Sequence, residues 1–220
     1  MPVTNLLRAD GLSFDQAAML EPLAIGAHAV RRSGAGEGQT VLVIGAGPIG
    51  LGVMVFARLA GARVLAMDVS GERLAFCRTW AGVEHSLDAA GLAAPQMVKR
   101  LAELTDGEFP AVVIDATGNA GSMTDAFGYL AHGGTLVFVG LTQGSITFSH
   151  PEFHKRETTL MASRNATRED FDRVLRAVKN GTVDIGRYIT HRAKHDDMIE
   201  RFAHWLRPES NVIKAVVEWP

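Results

Sequence analysis

The run Thr40-Val-Leu-Val-Ile44 contains no polar break and is dominated by aliphatic, β-branched residues, which reads as a strand buried on both faces. Gly45-x-Gly47-x-x-Gly50 follows at once, and residues 51–60 read as an apolar helix ended by Gly61. Each glycine has a physical job in such a unit. Gly45 allows the tight turn out of the strand, Gly47 lets a pyrophosphate approach the backbone, and Gly50 lets helix and strand pack closely. Pro48 stands near the first helical position, where a missing N–H costs nothing. The free N–H groups of that helix, Ile49 and Gly50 included, and its positive dipole end suit an anionic ligand.

A Gly-rich turn alone is weak evidence, and its surroundings carry the weight. A second short strand over residues 63–67 ends on Asp68, near the spacing of about 20 residues at which an acid accepts hydrogen bonds from an adenosine ribose. A carboxylate there also repels a 2′-phosphate, so the expected cofactor is NAD rather than NADP.

Net charge is −2 over 220 residues, with 21% charged and 47% hydrophobic residues, so nothing singles out nucleic acid or an anionic membrane as partner. The single cysteine, Cys77, rules out an internal disulfide and fits a reducing compartment. No apolar run approaches the ~20 residues needed to span a bilayer, and the first residues lack a signal-peptide pattern. The expected location is cytoplasmic.

Along the chain, Ser13-x-x-Gln16 resembles a capping box that starts a helix at Phe14, with an interruption expected at Pro22. Ser33 to Gly38 form a flexible linker. Ser70 caps a helix over 72–80, a weak strand covers 83–87, and a helix spans about 95–104. A buried strand over 110–115 ends in Asp115-Ala116-Thr117-Gly118, and Asn119 or Ser122 opens the next helix. Gly133-Gly134 turns into a strand over 135–140, and residues 146–148 and 158–163 read as two further strands near the sheet edge. An amphipathic helix over 168–180 is closed by Gly181. A strand over 188–191, a helix over about 196–206 and a strand over 212–218 complete the chain. Strands alternating with helices across 40–140 indicate an α/β fold with a doubly wound parallel, Rossmann-type sheet. The expected division is an N-terminal helical segment and linker (1–37), a dinucleotide-binding domain (38–165) and a C-terminal helix–strand return (166–220).

Several stretches together resemble the cofactor-binding half of medium-chain zinc-dependent alcohol and polyol dehydrogenases, nearest the sorbitol, threonine and sugar-acid enzymes. They are Glu21-Pro-Leu-Ala-Ile-Gly-Ala-His28, Thr40 to Gly50, Asp115-Ala-Thr-Gly118, Gly133 to Gly140 and Val212 to Val217. The resemblance implies an oxidoreductase that moves hydride between a secondary alcohol and NAD, with zinc polarising the alcohol, and a homodimer. It places Ala116, Thr117 and Gly118 along the cofactor, and Gly140 and Leu141 near the nicotinamide. Arg164 and Asn165 either contact cofactor or are surface residues, and Lys214 either meets the pyrophosphate or is a solvated strand residue. Asp115 is either functional or anchors its turn. The domain that would supply a Cys and a His–Glu pair to zinc is expected to be absent, leaving Glu21 as the one matching position of the metal site. The chain then reads as a fragment that binds NAD(H) without oxidising alcohols.

Eight histidines raise the question of a metal. His191 and His195 fall on strand-like sequence, so helical two-histidine geometry fails. His28 shares a helix face with Glu21, as a structural residue or a ligand. His150 and His154 flank Pro151 in an expected loop, and the pairs Arg31-Arg32 and Lys155-Arg156 are expected to be solvated. Two other functions compete: a stand-alone NAD-sensing module, and an S-adenosylmethionine methyltransferase, which also uses a Gly-rich turn and an acid after its second strand.

Overall fold

Burial along β1 (Thr40–Ile44) alternates between two faces because successive side chains of a strand point to opposite sides. Val41 and Val43 enter one apolar cluster, while Leu42 and Ile44 enter the other. Parallel pairing with β2 (Arg63–Asp68) sets Leu42 beside Leu65 and Val43 beside Ala66, so each face continues across the strands. The computed structural model describes Val3 and residues 6–220. Joined to β1 and β2 are β3 (His85–Asp88), β4 (Val112–Asp115), β5 (Thr135–Phe138) and β6 (Thr159–Ala162). All pair in parallel, in the order β3-β2-β1-β4-β5-β6, which is the doubly wound Rossmann arrangement.

Helices cover both faces, as an all-parallel sheet requires. One face carries α1 (Phe14–Ser33), α2 (Pro48–Leu59), α3 (Gly71–Trp80), α7 (Arg168–Lys179) and the short α8 (Ile185–Tyr188), which share one buried cluster with the sheet. The other face carries α4 (Ala94–Leu104) and α5 (Ala120–Asp125) with its 3-10 extension Ala126–Gly128. A separate two-stranded parallel sheet pairs β7 (His191–Lys194) with β8 (Ala215–Glu218), with α9 (Met198–Trp205) between them in sequence. Arg192 ties this unit to the start of α1 through Asp15 and to Glu218 at 3.1 Å.

Local signals place several boundaries. The Ser13–Gln16 capping box forms, and α1 begins at Phe14 as its sequence requires. Gly34 closes α1 at φ 69°, and Ser70 caps α3 through the N–H of Arg73.

Other expectations are corrected. α1 runs unbroken through Pro22, because the lost N–H contact is offset by a buried face that packs along α2. In that packing a Cβ on Gly26 would stand 2.6 Å from the N of Val53 in α2, so only glycine allows the approach. Residues 146–148 form no strand: β6 already holds the sheet edge, and Phe148 instead stacks on Phe127 at 4.4 Å. His150 and His154 lie on the short helix α6 (His150–Lys155), begun near Pro151, with their rings stacked 5.9 Å apart. Residues 185–188 are helical, and the strand expected there begins at His191.

Arg31 and Arg32 are both exposed, as expected, but Arg31 is ion-paired rather than free. Its guanidinium donates to Asp170 on α7 at 2.7 and 3.1 Å, while His28 Nδ1 lies 2.8 Å from the same carboxylate. A carboxylate only accepts, so Nδ1 carries the hydrogen. Asp170 is 1% exposed, and burial pushes its carboxyl up. Arg31, the backbone and hydroxyl of Thr167, and His28 outweigh this and hold it well below the usual carboxylate range. Arg156 is likewise held, donating to the Leu130 carbonyl at 2.6 Å with Phe109 beneath it.

The Asp170 cluster joins elements far apart in sequence, and its removal leaves buried donors unpaired. Asp170→Ala is expected to lower unfolding free energy by about 3 kcal/mol in urea titrations at neutral pH. Because the folded-state value is depressed, the ionised carboxylate stabilises the fold above its unfolded value of about 3.9. That stability is lost as pH falls below about 4. Urea titrations between pH 6 and pH 3 should therefore show a smaller loss for Asp170→Asn than for the unaltered protein.

Candidate functional site

The chain's strand order reverses at β1 and β4, and a cleft of about 510 Å³ opens there at the carboxyl ends of the strands. Its floor is the turn from β1 into α2. Gly45 leaves the strand at φ 95°, in the region that favours glycine, with the loop residues Ala116 and Thr117 packed on it. Gly50 stands against the carbonyl of Gly45, which any side chain at that position would overlap. Gly47 differs from both. It caps α2 at φ −76°, a conformation open to any residue, and a Cβ there would meet only the Arg73 guanidinium at 3.7 Å.

No side chain caps α2, and Pro48 occupies its first turn, so the first N–H groups and the positive helix end face the cleft. Asp68 ends β2 beside this turn. One of its oxygens accepts from the N–H of Ala46 at 2.6 Å, the other from the N–H of Ser70 at 2.8 Å. The carboxylate therefore fixes the glycine turn and the start of α3 together, while still lining the cleft.

Asp115 is wholly buried and organises the opposite wall. It accepts from the Thr117 N–H and hydroxyl at 2.8 and 2.7 Å and from the Ser122 hydroxyl at 2.6 Å. Between the two roles its sequence left open, these bonds assign it to anchoring the turn. Gly118 and Gly140 then touch backbone to backbone. A Cβ on Gly118 would lie 2.7 Å from the Leu141 carbonyl oxygen, which packs the loops after β4 and β5 against each other. Leu141 itself is 81% exposed.

Of the residues singled out by sequence, Gly45, Gly47, Pro48, Asp68, Ala116 and Thr117 line the cleft. Ile49 and Gly50 stand in the first turn of α2, behind that lining. Gly118, Gly140 and Leu141 form the adjoining loop contact. Arg164 and Asn165 are exposed just past β6 and are not among the lining residues. Lys214 is half-buried ahead of β8, where its carbonyl accepts from Thr190 and His191. Glu21 is exposed on α1, close enough to Tyr188 for its charge to add to burial in holding that phenol above its ordinary range. His28 belongs to the Asp170 cluster. Among the described residues no three His, Cys, Asp or Glu side chains gather as a metal site.

Two cleft features escaped the sequence reading. Arg73, in the first turn of α3, brings the only guanidinium among the lining residues, directly across from Gly47. Its position three residues after the Ser70 cap was the available signal. Tyr188 is fully buried and donates from its hydroxyl to the Pro48 carbonyl at 2.8 Å, bracing the first turn of α2 from α8. Nothing local in the sequence marks that contact, since its partner lies on α2, far off in the chain.

A parallel sheet in this order, with a glycine turn opening a helix into the cleft at the switch point, defines a doubly wound, Rossmann-type α/β protein. Residues 48–180 match the zinc-binding dehydrogenase family, and the chain belongs to that family. It is 42% identical over 217 residues to L-galactonate-5-dehydrogenase of Escherichia coli K12, covering 99% of this chain and 63% of that one. It is 29% identical to L-arabinitol 4-dehydrogenase of Hypocrea jecorina, over 94% of this chain and 55% of that one. The crystal structure of 2R,3R-butanediol dehydrogenase from Bacillus subtilis superposes with a TM-score of 0.86 at 28% identity, over 96% of this chain and 59% of that one. An alcohol dehydrogenase of Escherichia coli CFT073, solved with NADH, shares the fold at a TM-score of 0.88 and 21% identity, over 100% of this chain and 64% of that one. The chain thus spans between about half and two thirds of the length of these relatives. No described helix is long and apolar enough to cross a membrane.

Because Asp68 holds two backbone N–H groups, its loss has a structural effect before any ligand is added. Asp68→Ala is expected to lower unfolding free energy by about 2–3 kcal/mol, read from urea titration of the protein alone. An unchanged midpoint would show that the turn stands without it.

Proposed function

We propose that this chain is the NAD(H)-binding portion of a medium-chain dehydrogenase acting on a secondary alcohol of a polyol or sugar acid. The observation that carries the reading is Gly47. Its backbone conformation does not need glycine and, among the described residues, only the Arg73 guanidinium comes within 4 Å of where its side chain would begin, so that space suits a ligand. That space lies at the uncapped end of α2 and faces Arg73, as a pyrophosphate requires. Asp68 then receives the adenosine ribose hydroxyls through the lone pairs its two backbone contacts leave, and its charge disfavours a 2′-phosphate. The remaining assignments extend along the cofactor. Ala116, Thr117 and Gly118 follow its length, Gly140 and Leu141 bound the nicotinamide end, and Arg164, Asn165 and Lys214 stand outside the cleft lining as outer contacts.

Bound NAD supplies a hydride acceptor. This chain's residues bind it, orient it and, through Tyr188, hold the turn beneath it. The substrate class follows the sugar-acid and polyol relatives. A catalytic zinc calls for about three protein ligands, and Glu21 by itself does not make such a site. The protein as it stands is therefore expected to bind NADH and yield no NADH from secondary alcohols. The edge strand β6, with Leu160 39% exposed, is expected to pair with a second copy, giving a homodimer in sedimentation at micromolar concentration.

Gly47→Val tests the reading. The added side chain fits the protein, so the thermal midpoint should stay within a few degrees while NADH binding, followed by nicotinamide fluorescence, is abolished. Retained NADH affinity in this variant would place the phosphates elsewhere. The unaltered protein should bind NADH at least tenfold tighter than NADPH, and Asp68→Ala should erase that preference, a change of about 1.4 kcal/mol or more.

A further inference from the structure

Beyond Asp68 the cleft continues into a slot with apolar walls, including Val69, Leu92 and Met97. A dinucleotide whose ribose sits on Asp68 places its base there, because the phosphates occupy the other side of that residue. Two polar side chains of the slot make no hydrogen bond within the protein, among the described residues. Tyr129 is 5% exposed and packed in the same buried cluster as Met67 and Met97. Its hydroxyl is not sealed in, since Ser163 Oγ is the one enclosed side-chain atom without a partner among the described residues. Tyr129 is among the residues that line the cleft. Asp125, at the end of α5, lines the same slot with no cation paired to it. Asp125 is exposed at the cleft and only its partial burial there pushes its carboxyl up, while burial together with the Asp125 charge pushes the Tyr129 phenol up to about 12. Two neighbouring polar atoms are already committed. The Ser122 hydroxyl donates to Asp115 at 2.6 Å, and the Asn119 carbonyl oxygen caps α5 at 3.0 Å.

We infer that Asp125 and Tyr129 read the edge of the adenine ring, making the site selective for an adenine dinucleotide over one with a 6-oxo purine. The inference rests on the dinucleotide reading above. Adenine presents an exocyclic amino donor beside a ring-nitrogen acceptor. A carboxylate that only accepts suits the amino group, and a phenol that donates suits the ring nitrogen. Hypoxanthine reverses the pattern where it matters: its oxygen would face the carboxylate, which only accepts, while its protonated ring nitrogen can still donate to the phenol oxygen, so the discrimination falls on Asp125. A site whose polar groups match one donor–acceptor pattern rejects the reversed one, since the mismatch leaves desolvated groups unpaired.

The probes are NADH and reduced nicotinamide hypoxanthine dinucleotide, which share phosphates, riboses and nicotinamide. Fluorescence titration of the full chain should give an affinity for NADH at least tenfold higher. Asp125→Asn, whose amide can turn either its oxygen or its NH2 toward the base, should bring the two within about threefold. Tyr129→Phe should weaken NADH several-fold with the thermal midpoint retained, and it decides the matter if Asp125→Asn does not fold. Equal affinity of the unaltered protein for both probes overturns the inference and leaves NADH binding intact. So does a folded Asp125→Asn that keeps the full discrimination, or, should that variant not fold, a Tyr129→Phe that binds NADH unchanged. If neither probe binds the unaltered protein, the dinucleotide reading itself falls, and the base selectivity with it.

Discussion

Helix α2 is held by two glycine contacts, and the rest of the molecule is arranged around them. At its start, Gly50 lies against the carbonyl of Gly45; one turn on, Gly26 of α1 lies against the backbone of Gly52 and Val53. Neither contact tolerates a Cβ, so α2 is pinned between β1 on one side and α1 on the other. Dispersion contacts at this separation act backbone to backbone, with no flexible side chain to absorb a shift. The uncapped end of α2 is consequently fixed in space, and with it the cleft. Asp68, Arg73 and Tyr188 all reach that end from other elements, and each depends on finding it in place.

The parts of this architecture written in short-range patterns were legible in the sequence. The unbroken apolar run of β1, the acid at the end of β2, the capping box at Ser13 and the cap at Ser70 each encode a local geometry, and each formed. Asp115 was legible as one of two alternatives, a turn anchor or a functional acid, and its near neighbours Thr117 and Ser122 decide for the anchor. What was not legible depends on partners far off in sequence. Arg31 reads as a free cation until α7 delivers Asp170 to it. Residues 146–148 have the composition of a strand, yet the edge they would join is already paired, and the aromatic side chain of Phe148 finds Phe127 instead. Pro22 ordinarily ends a helix, but the cost of one lost backbone bond is smaller than that of unpacking α1 from α2.

The cleft divides its work between committed and uncommitted polar groups. Asp115, Ser122 and Asn119 spend their hydrogen bonds on the loop itself and give it a fixed shape. Asp68 does both, giving an oxygen to each of two backbone turns while keeping lone pairs on the cleft side. Among the described residues, Arg73, Asp125 and the Tyr129 hydroxyl remain without partners while their residues line the cleft. Rigid walls carrying unpaired groups are what selective recognition needs, because the ligand then supplies the missing partners and little ordering remains to be done.

The hydroxyl of Tyr188 on the Pro48 carbonyl also has a meaning in time. Protein chains are made from the amino terminus, and the glycine turn emerges from the ribosome well before α8 does. Until Tyr188 is synthesised, the mouth of α2 lacks its brace and the Trp80 ring lacks the ring that packs on it at 5.0 Å. The parallel-sheet fold of this chain is thus completed by a contact made late in synthesis.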